Sequence, residues 1–258
     1  MAKGTWMLFV RLSSGAIKMK KYIDNTFVEQ SYCYFNRNYG SKNVRNIAQS
    51  IFLEHAIREA KLSVNSLKVL EIGCAVGANL YWLYKEHRCK CTGVEPNARV
   101  VRILSKEYPF IRFYVATADA LPFSKDEFDL VILRSTLHWV DRNFILQSLG
   151  EAIRVTRQWL IVSDFCPPQP FRVPYHYKKG LFTWHMDYTP ALLNAGIMKL
   201  IYQQCADTVK INGVPTVVFL KDDEAKRKKN VWNLVKTSIF CKKVALLPIK
   251  TESDFKRT

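Results

Sequence analysis

Short apolar runs alternate along the middle of the chain with segments whose apolar residues recur at helical spacing. Five runs rich in strand-forming residues cover 67–72, 91–95, 112–116, 128–133 and 159–165. Shared helical faces are formed by Leu80, Leu83 and Tyr84, by Val100, Ile103 and Leu104, and by Phe144, Ile145, Leu149 and Ile153. This alternation is typical of βαβ units. It predicts a parallel sheet whose strands all end at one edge, where ligands bind.

The N-terminal part of the chain is predicted to cover this sheet. Residues 43–60 have the apolar spacing of a helix, and we assign residues 19–62 to a helical cover. Met19 followed by two lysines resembles an ordinary protein start more than Met1 does. Residues 1–18 are therefore interpreted as a non-native or dispensable extension.

The C-terminal part is predicted to complete the sheet and to end in a basic segment. Four prolines within residues 166–174 predict a loop, which opens a lid over 166–197. Residues 198–205 and 214–220 are predicted strands, and the Asn-Gly pair between them is a hairpin signal. The domain thus spans 63–220, and residues 221–258 are predicted to form a basic helix and tail.

Composition favours a folded enzyme or binding domain over a fibrous or disordered chain, because 48% of the 258 residues are apolar. The net charge of +17 initially suggests nucleic acid as a partner. However, residues 63–165 carry 13 basic and 11 acidic side chains, so the excess lies mainly at the two ends. The charge therefore bears more on solubility and peripheral contacts than on chemistry.

The cysteines and the apolar runs limit the cellular setting. Seven irregularly spaced cysteines do not form a disulfide pattern, and they favour a reducing, cytoplasmic environment. Cys89 and Cys91 lack the partners of a four-ligand zinc site, so we predict no metal. No apolar run reaches the roughly 20 residues of a membrane span.

The strongest chemical signal is the segment 69–80, where a strand ends in Glu71, turns through small residues and enters a helix. Small residues allow close approach of a ligand, and the helix start offers free N–H groups. Glu95 and Asp119 follow the next two strands, each 24 residues after the preceding acid. These carboxylates are suited to accept hydrogen bonds from ribose hydroxyls and from an adenine amino group. Each feature alone also fits a tight turn, a helix cap or a solvated acid.

These motifs together resemble those of the class I S-adenosylmethionine-dependent methyltransferases, within them the type-11 group of small-molecule methyltransferases. The matching segments are 71–77, 93–97, 119–123, 128–132, 137–140 and 194–197. The resemblance covers about residues 43–165 and extends toward 220. It implies an α/β, Rossmann-like three-layer sandwich with a mostly parallel seven-stranded sheet and an antiparallel last strand.

The resemblance also implies a cofactor, S-adenosyl-L-methionine, and a set of residues that hold it. The loop from Glu71 to Gly77 would enclose the methionine part, Glu95 the ribose, and Pro96 and Asp119 the adenine. Arg134 and Ser135 would lie beneath the sulfonium. The complete predicted set is Glu71, Gly73, Cys74, Ala75, Gly77, Asn79, Glu95, Pro96, Asp119, Ala120, Arg134 and Ser135.

One departure from the family pattern concerns Ala75, which stands where the family usually has its middle glycine. If this position requires a positive φ angle, alanine costs about 1 kcal/mol there. If it requires only a small residue, alanine is tolerated. The affinity for the cofactor depends on which of these conditions holds.

Residues for catalysis and acceptor binding are less sharply indicated. His138 follows the fourth strand and is our candidate general base, the alternative being a helix cap or packing against Trp139. The lid contains several aromatic and basic side chains that suit a substrate pocket. The aromatic side chains fit the core of the lid equally well, and the basic ones fit a solvated face. Its candidate substrate residues are His176, Tyr177, His185 and Tyr188.

Three functions are compatible with these observations. The favoured one is transfer of a methyl group to an oxygen or nitrogen of a small molecule such as a sugar, carboxylate or secondary metabolite. An RNA methyltransferase is the second, based on the basic runs at 226–229 and 256–257. A partner-binding protein with degraded chemistry is the third, based on Ala75. A dinucleotide dehydrogenase fits less well, because its fingerprint gives no role to residues 119–123.

Overall fold

The computed structural model describes residues 31–40, 51–167, 169–204 and 216–221, with side chains from residue 53 onward in the second range. The predicted extension 1–18, the Asn212-Gly213 turn and the basic segment 222–258 lie outside these residues. The strands are β1 (Lys68–Ile72), β2 (Lys90–Glu95), β3 (Arg112–Val115), β4 (Phe128–Arg134), β5 (Thr156–Ser163), β6 (Phe171–Pro174), β7 (Phe182–His185), β8 (Met198–Gln203) and β9 (Thr216–Lys221). The helices are α1 (residues 31–39), α2 (Ile51–Glu59), α3 (Ala78–His87), α4 (Ala98–Glu107), α5 (Ile145–Val155) and α6 (Thr189–Asn194).

Seven strands form one sheet in the order β3-β2-β1-β4-β5-β9-β8. The strands β1 to β5 pair in parallel, while β9 pairs antiparallel with both of its neighbours, β5 and β8. The chain reverses its direction of progress across the sheet between β1 and β4, which creates a crevice at the carboxyl ends of these strands. The predicted α/β fold class is confirmed, with the last strand inserted beside the edge strand.

The two faces of the sheet bury separate apolar clusters, as the period of two in β4 requires. Leu130 and Ile132 join the cluster that packs under α3 and α4, whereas Val131 and Leu133 join the cluster under α5. Helices therefore cover both faces, and the result is a three-layer arrangement.

The predicted helical faces are largely confirmed. Ile145, Leu149 and Ile153 of α5 are all buried. Tyr84 is the exception, because 38% of it is exposed and its ring stacks on Phe110 at a centroid distance of 4.2 Å. The side chain thus covers the outside of α3, where an amphipathic ring can remain partly hydrated.

The lid contains more regular structure than its prolines indicate. The predicted loop 166–174 ends in β6, which pairs antiparallel with β7 from Phe171↔His185 to Pro174↔Phe182. Pro174 is the last residue of its strand, where a missing N–H does not interrupt the ladder. The prediction of a loop throughout this segment was therefore wrong.

Among the described residues, no helix is long and apolar enough to cross a membrane.

Candidate cofactor and acceptor site

A cleft of about 620 Å³ opens at the carboxyl ends of the central strands. Gly73 after β1, Pro96 after β2 and Asp119 after β3 all line it, together with Thr136 and Trp139 after β4. Three of the predicted cofactor residues, from three separate loops, thus share one cavity.

The loop after β1 lies close to the neighbouring strand connection. Gly73 has φ +72°, and a Cβ atom there would lie 2.5 Å from Oγ1 of Thr136. That hydroxyl in turn donates to the carbonyls of Ile72 and Arg134, both at 3.0 Å. Gly77 has φ +70° and begins α3 in the left-handed conformation. Glycine is therefore required at both ends of the loop, for conformation and at Gly73 also for space.

Ala75 adopts a left-handed backbone conformation, with φ +47°. The position is thus one that requires positive φ, and alanine carries a cost of about 1 kcal/mol there. The backbone N–H of Ala75 donates to Oε2 of Glu95 at 3.2 Å, which ties the strained turn to the end of β2.

Glu71 is buried beside two polar groups and keeps one oxygen unused. Its Oε1 accepts a hydrogen bond from Nδ2 of Asn79 at 2.6 Å. Its Oε2 is buried without a hydrogen-bond partner among the described residues, as is Nε of Arg134. Burial raises the pKa of Glu71 to about 7, while the Asn79 hydrogen bond and the charge of Arg134 oppose the shift. Unpartnered buried groups of this kind are costly unless a ligand satisfies them.

Glu95 is also buried, with 5% of its surface exposed, and both of its oxygens are engaged. The hydroxyl of Ser31, in α1, donates to Oε1, and Ala75 N–H donates to Oε2. Burial raises the pKa of Glu95 to about 7, although these hydrogen bonds act in the opposite direction. The carboxylate predicted to bind ribose is thus held by a hydroxyl of the protein itself.

Three other predicted cofactor residues use their backbone N–H groups within the protein. Cys74 donates to the Val94 carbonyl at 3.1 Å, Ala120 to that of Thr117 at 3.2 Å, and Ser135 to that of Ser163 at 2.7 Å. The bonds of Cys74 and Ser135 tie their loops to neighbouring strands, and that of Ala120 closes a turn within its own loop. Burial raises the pKa of the Cys74 thiol well above its ordinary value, so this thiol is not nucleophilic.

His138 is paired with a carboxylate that the sequence analysis did not identify. Its Nδ1 lies 2.7 Å from Oδ1 of Asp164, directly after β5, and both side chains are buried. Oδ2 of Asp164 accepts the N–H of Leu137 at 2.7 Å. The His138 ring also packs against Trp139 at a centroid distance of 5.2 Å. The imidazole is thus a member of a buried pair and does not cap α5.

The four candidate substrate residues of the lid lie in different surroundings. His185 lies beside His138, with ring centroids 5.9 Å apart, and stacks on Phe165 at 4.0 Å. Tyr188 is only 3% exposed and belongs to the apolar core. His176 and Tyr177 lie in the exposed turn between β6 and β7, away from the buried pair, whereas His185 packs against the ring of His138.

Residues for a metal are not brought together in the described part of the chain, where no group of three or more histidine, cysteine or acidic side chains has suitable geometry. The thiol of Cys89 instead donates to the Val64 carbonyl at 3.0 Å, and that of Cys91 to the Leu80 carbonyl at 3.2 Å.

Two polar residues of the site were missed from the sequence. Asp164 follows a strand at the same edge as Glu71 and Glu95, so the reasoning applied to those acids was sufficient to identify it. Ser31 reaches Glu95 across 64 positions from a helix outside the repeating pattern, and no local signal marks it.

Part of the chain is similar in sequence to known methyltransferases. A protein-family model described as a methyltransferase domain matches residues 69–158. An uncharacterized methyltransferase of Bacillus subtilis (strain 168), YcgJ, is 26% identical over 109 residues, which cover 40% of this chain and 43% of the relative. The match thus spans less than half the length of this curated relative.

Solved structures show the same fold at low sequence identity. A 1,6-didemethyltoxoflavin-N1-methyltransferase of Burkholderia thailandensis, with bound 1,6-didemethyltoxoflavin and S-adenosylhomocysteine, aligns with a TM-score of 0.58 and 15% identity, covering 84% of this chain and 94% of that chain. The magnesium protoporphyrin IX methyltransferase of Synechocystis PCC 6803, with bound cofactor, gives 0.53 and 13%, covering 79% and 97%. Residues 69–158 of the chain therefore match a methyltransferase domain, and the chain shares the fold of these two methyltransferases.

Proposed function

We propose that the chain binds S-adenosyl-L-methionine in the cleft at the carboxyl edge of the sheet and transfers its methyl group to an oxygen or nitrogen of a small molecule. The observation that carries the proposal is the pair of unpartnered buried atoms beside this cleft, Oε2 of Glu71 and Nε of Arg134. One atom accepts and the other donates, which suits a ligand that carries both an ammonium and a carboxylate. The methionine part of the cofactor is such a ligand.

The remaining cleft residues fit the other parts of the cofactor. Pro96 and Asp119 line the cleft and are assigned to the adenine. Glu95 is assigned to the ribose, with a hydroxyl of the cofactor replacing that of Ser31. The small residues from Gly73 to Gly77 allow the backbone to approach the ligand closely.

The cofactor supplies an activated methyl group on a sulfonium, so the protein's contribution is alignment and exclusion of water. Trp139, Val140 and Phe144 give the cleft an apolar wall on the side of the acceptor. His138 is assigned the role of the base that removes a proton from the acceptor, if the acceptor carries one.

A small-molecule acceptor is favoured over RNA. The lid hairpin β6–β7 brings His185 beside His138, which supports a compact pocket. The Burkholderia relative of the same fold was solved with a small heterocyclic molecule. The basic runs that motivate an RNA substrate lie outside the described residues and support no specific contact.

A cytoplasmic location is proposed for the same molecule. The thiols of Cys33, Cys74, Cys89, Cys91 and Cys166 are all free, which is usual in a reducing compartment.

Calorimetry with S-adenosyl-L-methionine tests the cofactor assignment. We expect binding to the wild-type protein and a loss of about 1–3 kcal/mol of binding free energy for Glu95→Ala, because its ribose hydrogen bonds are removed. Glu86→Ala, an exposed acid on α3, is the matched control and should bind normally. A folded wild-type protein that binds neither this cofactor nor S-adenosylhomocysteine would refute the proposal.

A labelled-methyl transfer assay against panels of metabolites and RNA tests the acceptor class. Incorporation into a small molecule supports the proposal. Incorporation into RNA alone would overturn the small-molecule assignment while leaving the cofactor site intact.

A further inference from the structure

We propose that Asp164 is a positioning residue that holds His138 ready to accept a proton, and that the acceptor atom is therefore a hydroxyl or ring N–H rather than a carboxylate. This inference rests on the methyl transfer proposed above. It adds a residue that the sequence did not indicate and narrows the class of substrate.

The pair is held rigidly. The side chains of His138 and Asp164 are 8% and 1% exposed, and their contact measures 2.7 Å. Asp164 also accepts the backbone N–H of Leu137 at 2.7 Å and that of Phe165 at 2.8 Å. Hydrogen bonds to both carboxylate oxygens prevent the group from rotating, so the imidazole is held in one orientation.

The contact also selects one form of the imidazole ring. An ionised carboxylate only accepts hydrogen bonds, so Nδ1 of His138 carries the hydrogen and Nε2 of the neutral ring keeps a free electron pair. Among the described residues, no protein group pairs with Nε2. The arrangement is that of a general base oriented by an acid.

The surroundings connect this base with both the cofactor cleft and the lid. Trp139, which lines the cleft, packs against the His138 ring on one side. On the other side, His185 lies at a ring-centroid distance of 5.9 Å and Phe165 at 5.0 Å. Phe171 packs against His185 in turn, at 5.0 Å, so aromatic rings form a wall suited to a flat acceptor.

Charge around the pair disfavours an anionic acceptor. Asp164 faces His138 from the end of β5, and a carboxylate placed at Nε2 would be repelled by it. His185 faces the pair from β7, and burial together with the neighbouring His138 lowers its pKa, which favours its neutral form. Burial and the charge of Asp164 raise the pKa of Tyr188, at the start of α6, while the charge of Arg142 acts in the opposite direction.

The chemical step balances with these groups. The acceptor X–H gives its proton to Nε2 of His138, and the electron pair of that bond forms the X–CH₃ bond. The carbon–sulfur bond of the sulfonium breaks with its electrons on sulfur, giving a neutral thioether. The resulting imidazolium is stabilised by Asp164 and later releases its proton to solvent. A carboxylate acceptor requires no such base, since it is ionised before the reaction.

Nitrogen-15 NMR of the imidazole groups tests the pairing without any acceptor. His138→Gln identifies the His138 signals by their loss. We expect the neutral form of the His138 ring to carry its hydrogen on Nδ1 in the wild-type protein, with and without S-adenosylhomocysteine, and a changed tautomer ratio in Asp164→Asn. Asp187→Asn is the control, because asparagine can still accept the Thr189 N–H that Asp187 accepts at 2.8 Å. A neutral His138 ring that carries its hydrogen on Nε2 in the wild-type protein would overturn the proposal.

Kinetics test the consequence for the reaction. With panels of phenols, alcohols and ring N–H compounds set against matched carboxylic acids, we expect transfer only to the first group. Asp164→Asn should lower kcat by about 100-fold or more with KM changed little, and the acidic limb of the pH dependence of kcat should move to lower pH, because the carboxylate no longer stabilises the imidazolium. Transfer to the carboxylic acids, or an unchanged kcat and pH profile in Asp164→Asn, would contradict the inference. Absence of any cofactor binding would instead refute the proposed function.

Discussion

Two carboxyl groups, Glu71 and Glu95, lie buried at the ends of neighbouring strands, and burial raises the pKa of each to about 7. An ionised carboxylate accepts hydrogen bonds at both of its oxygens, which is the form that the proposed contacts with the cofactor use. In the protein without ligand, ionisation of these two buried carboxyl groups lowers the stability of the fold, but it prepares them to bind a ligand. This conflict is common at binding sites, where local rules of stability are broken for function.

Glu71→Gln should make the unfolding free energy less dependent on pH. The carboxyl has a pKa of about 7 when folded and an ordinary value of 4.5, so the unfolded chain ionises first as pH rises. Stability contributed by this group is therefore complete below about pH 4.5 and is lost as pH rises toward 7. As the pH rises from about 4.5 to 8, the unfolding free energy of Glu71→Gln should therefore increase by about 2–3 kcal/mol relative to that of the wild-type protein.

Urea unfolding at several pH values measures this difference. Glu86→Gln, at an exposed position of α3, should follow the wild-type curve. Parallel curves for Glu71→Gln and the wild-type protein would show that Glu71 is not strained by burial.

Ala75→Gly should stabilise the protein by about 1 kcal/mol, because glycine adopts the left-handed conformation without a Cβ penalty. The φ angle of +47° at this position is the reason. Thermal unfolding measures the change. Ala152→Gly, in the interior of α5, is the opposite control and should destabilise. A lower melting temperature for Ala75→Gly would contradict the interpretation of strain.

At the scale of single residues, the sequence was sufficient to predict the loops of the candidate site. It was not sufficient to predict which atoms in these loops contact each other. The acids after β1, β2 and β3 were identifiable because parallel strands end at one edge. The partners of Glu95 and His138 lie 64 and 26 positions away, and only the folded chain shows such contacts. The sequence showed that Ala75 replaces a glycine, but only the structure shows that its φ angle is positive.

Among the elements, α1 connects parts of the site that are distant in sequence. Ser31 donates to Glu95, and the ring of Tyr34 packs on Trp139 at a centroid distance of 6.1 Å. Nη2 of Arg37 donates to the hydroxyl of Tyr175, near the end of the lid hairpin, at 2.8 Å. One helix thus contacts the end of β2, the turn after β4 and the lid.

Ser31→Ala should separate the role of α1 in the empty protein from its role in binding. Loss of the hydroxyl leaves an oxygen of buried Glu95 without its donor, so we expect the empty protein to lose about 1–3 kcal/mol of stability. Affinity for S-adenosyl-L-methionine should not fall, because the ribose no longer competes with Ser31. Cys33→Ala, an exposed residue of the same helix, serves as the control. Weaker cofactor binding by Ser31→Ala would show that the serine belongs to the cofactor site itself.

The molecule as a whole follows the predicted alternation of strands and helices. All seven strands of the sheet were predicted, because each combines β-forming residues with turn signals at its ends. The strand order and the position of β9 depend on contacts between distant segments, which periodicity does not encode. The lid hairpin was missed because prolines occur both in loops and at the ends of strands. The prolines of this segment were interpreted only as signals of a loop.

Lys221 fixes the last strand to the rest of the domain and provides a test at this scale. Its Nζ donates to the carbonyls of Ile153 and Thr156 and pairs with Asp126. Lys221→Met should cost about 1–3 kcal/mol, because buried acceptors lose their donor. Lys199→Met, exposed on β8, should change stability little. Equal unfolding free energies for the two variants would argue against this anchoring role.

The place of β9 between β5 and β8 has a consequence for synthesis. On the ribosome, β5 and β8 emerge before the strand that separates them, so neither can complete its pairing until residues 216–221 have followed. During this interval the nascent chain exposes the hydrogen-bonding edge of β5, whose side chains from Leu160 to Val162 are buried in the finished molecule. Open apolar edges of this kind are where strands of other chains add and aggregation begins. Completion of this seven-stranded sheet therefore waits on β9, and a chain stopped before residue 216 would keep the edge of β5 open to other chains.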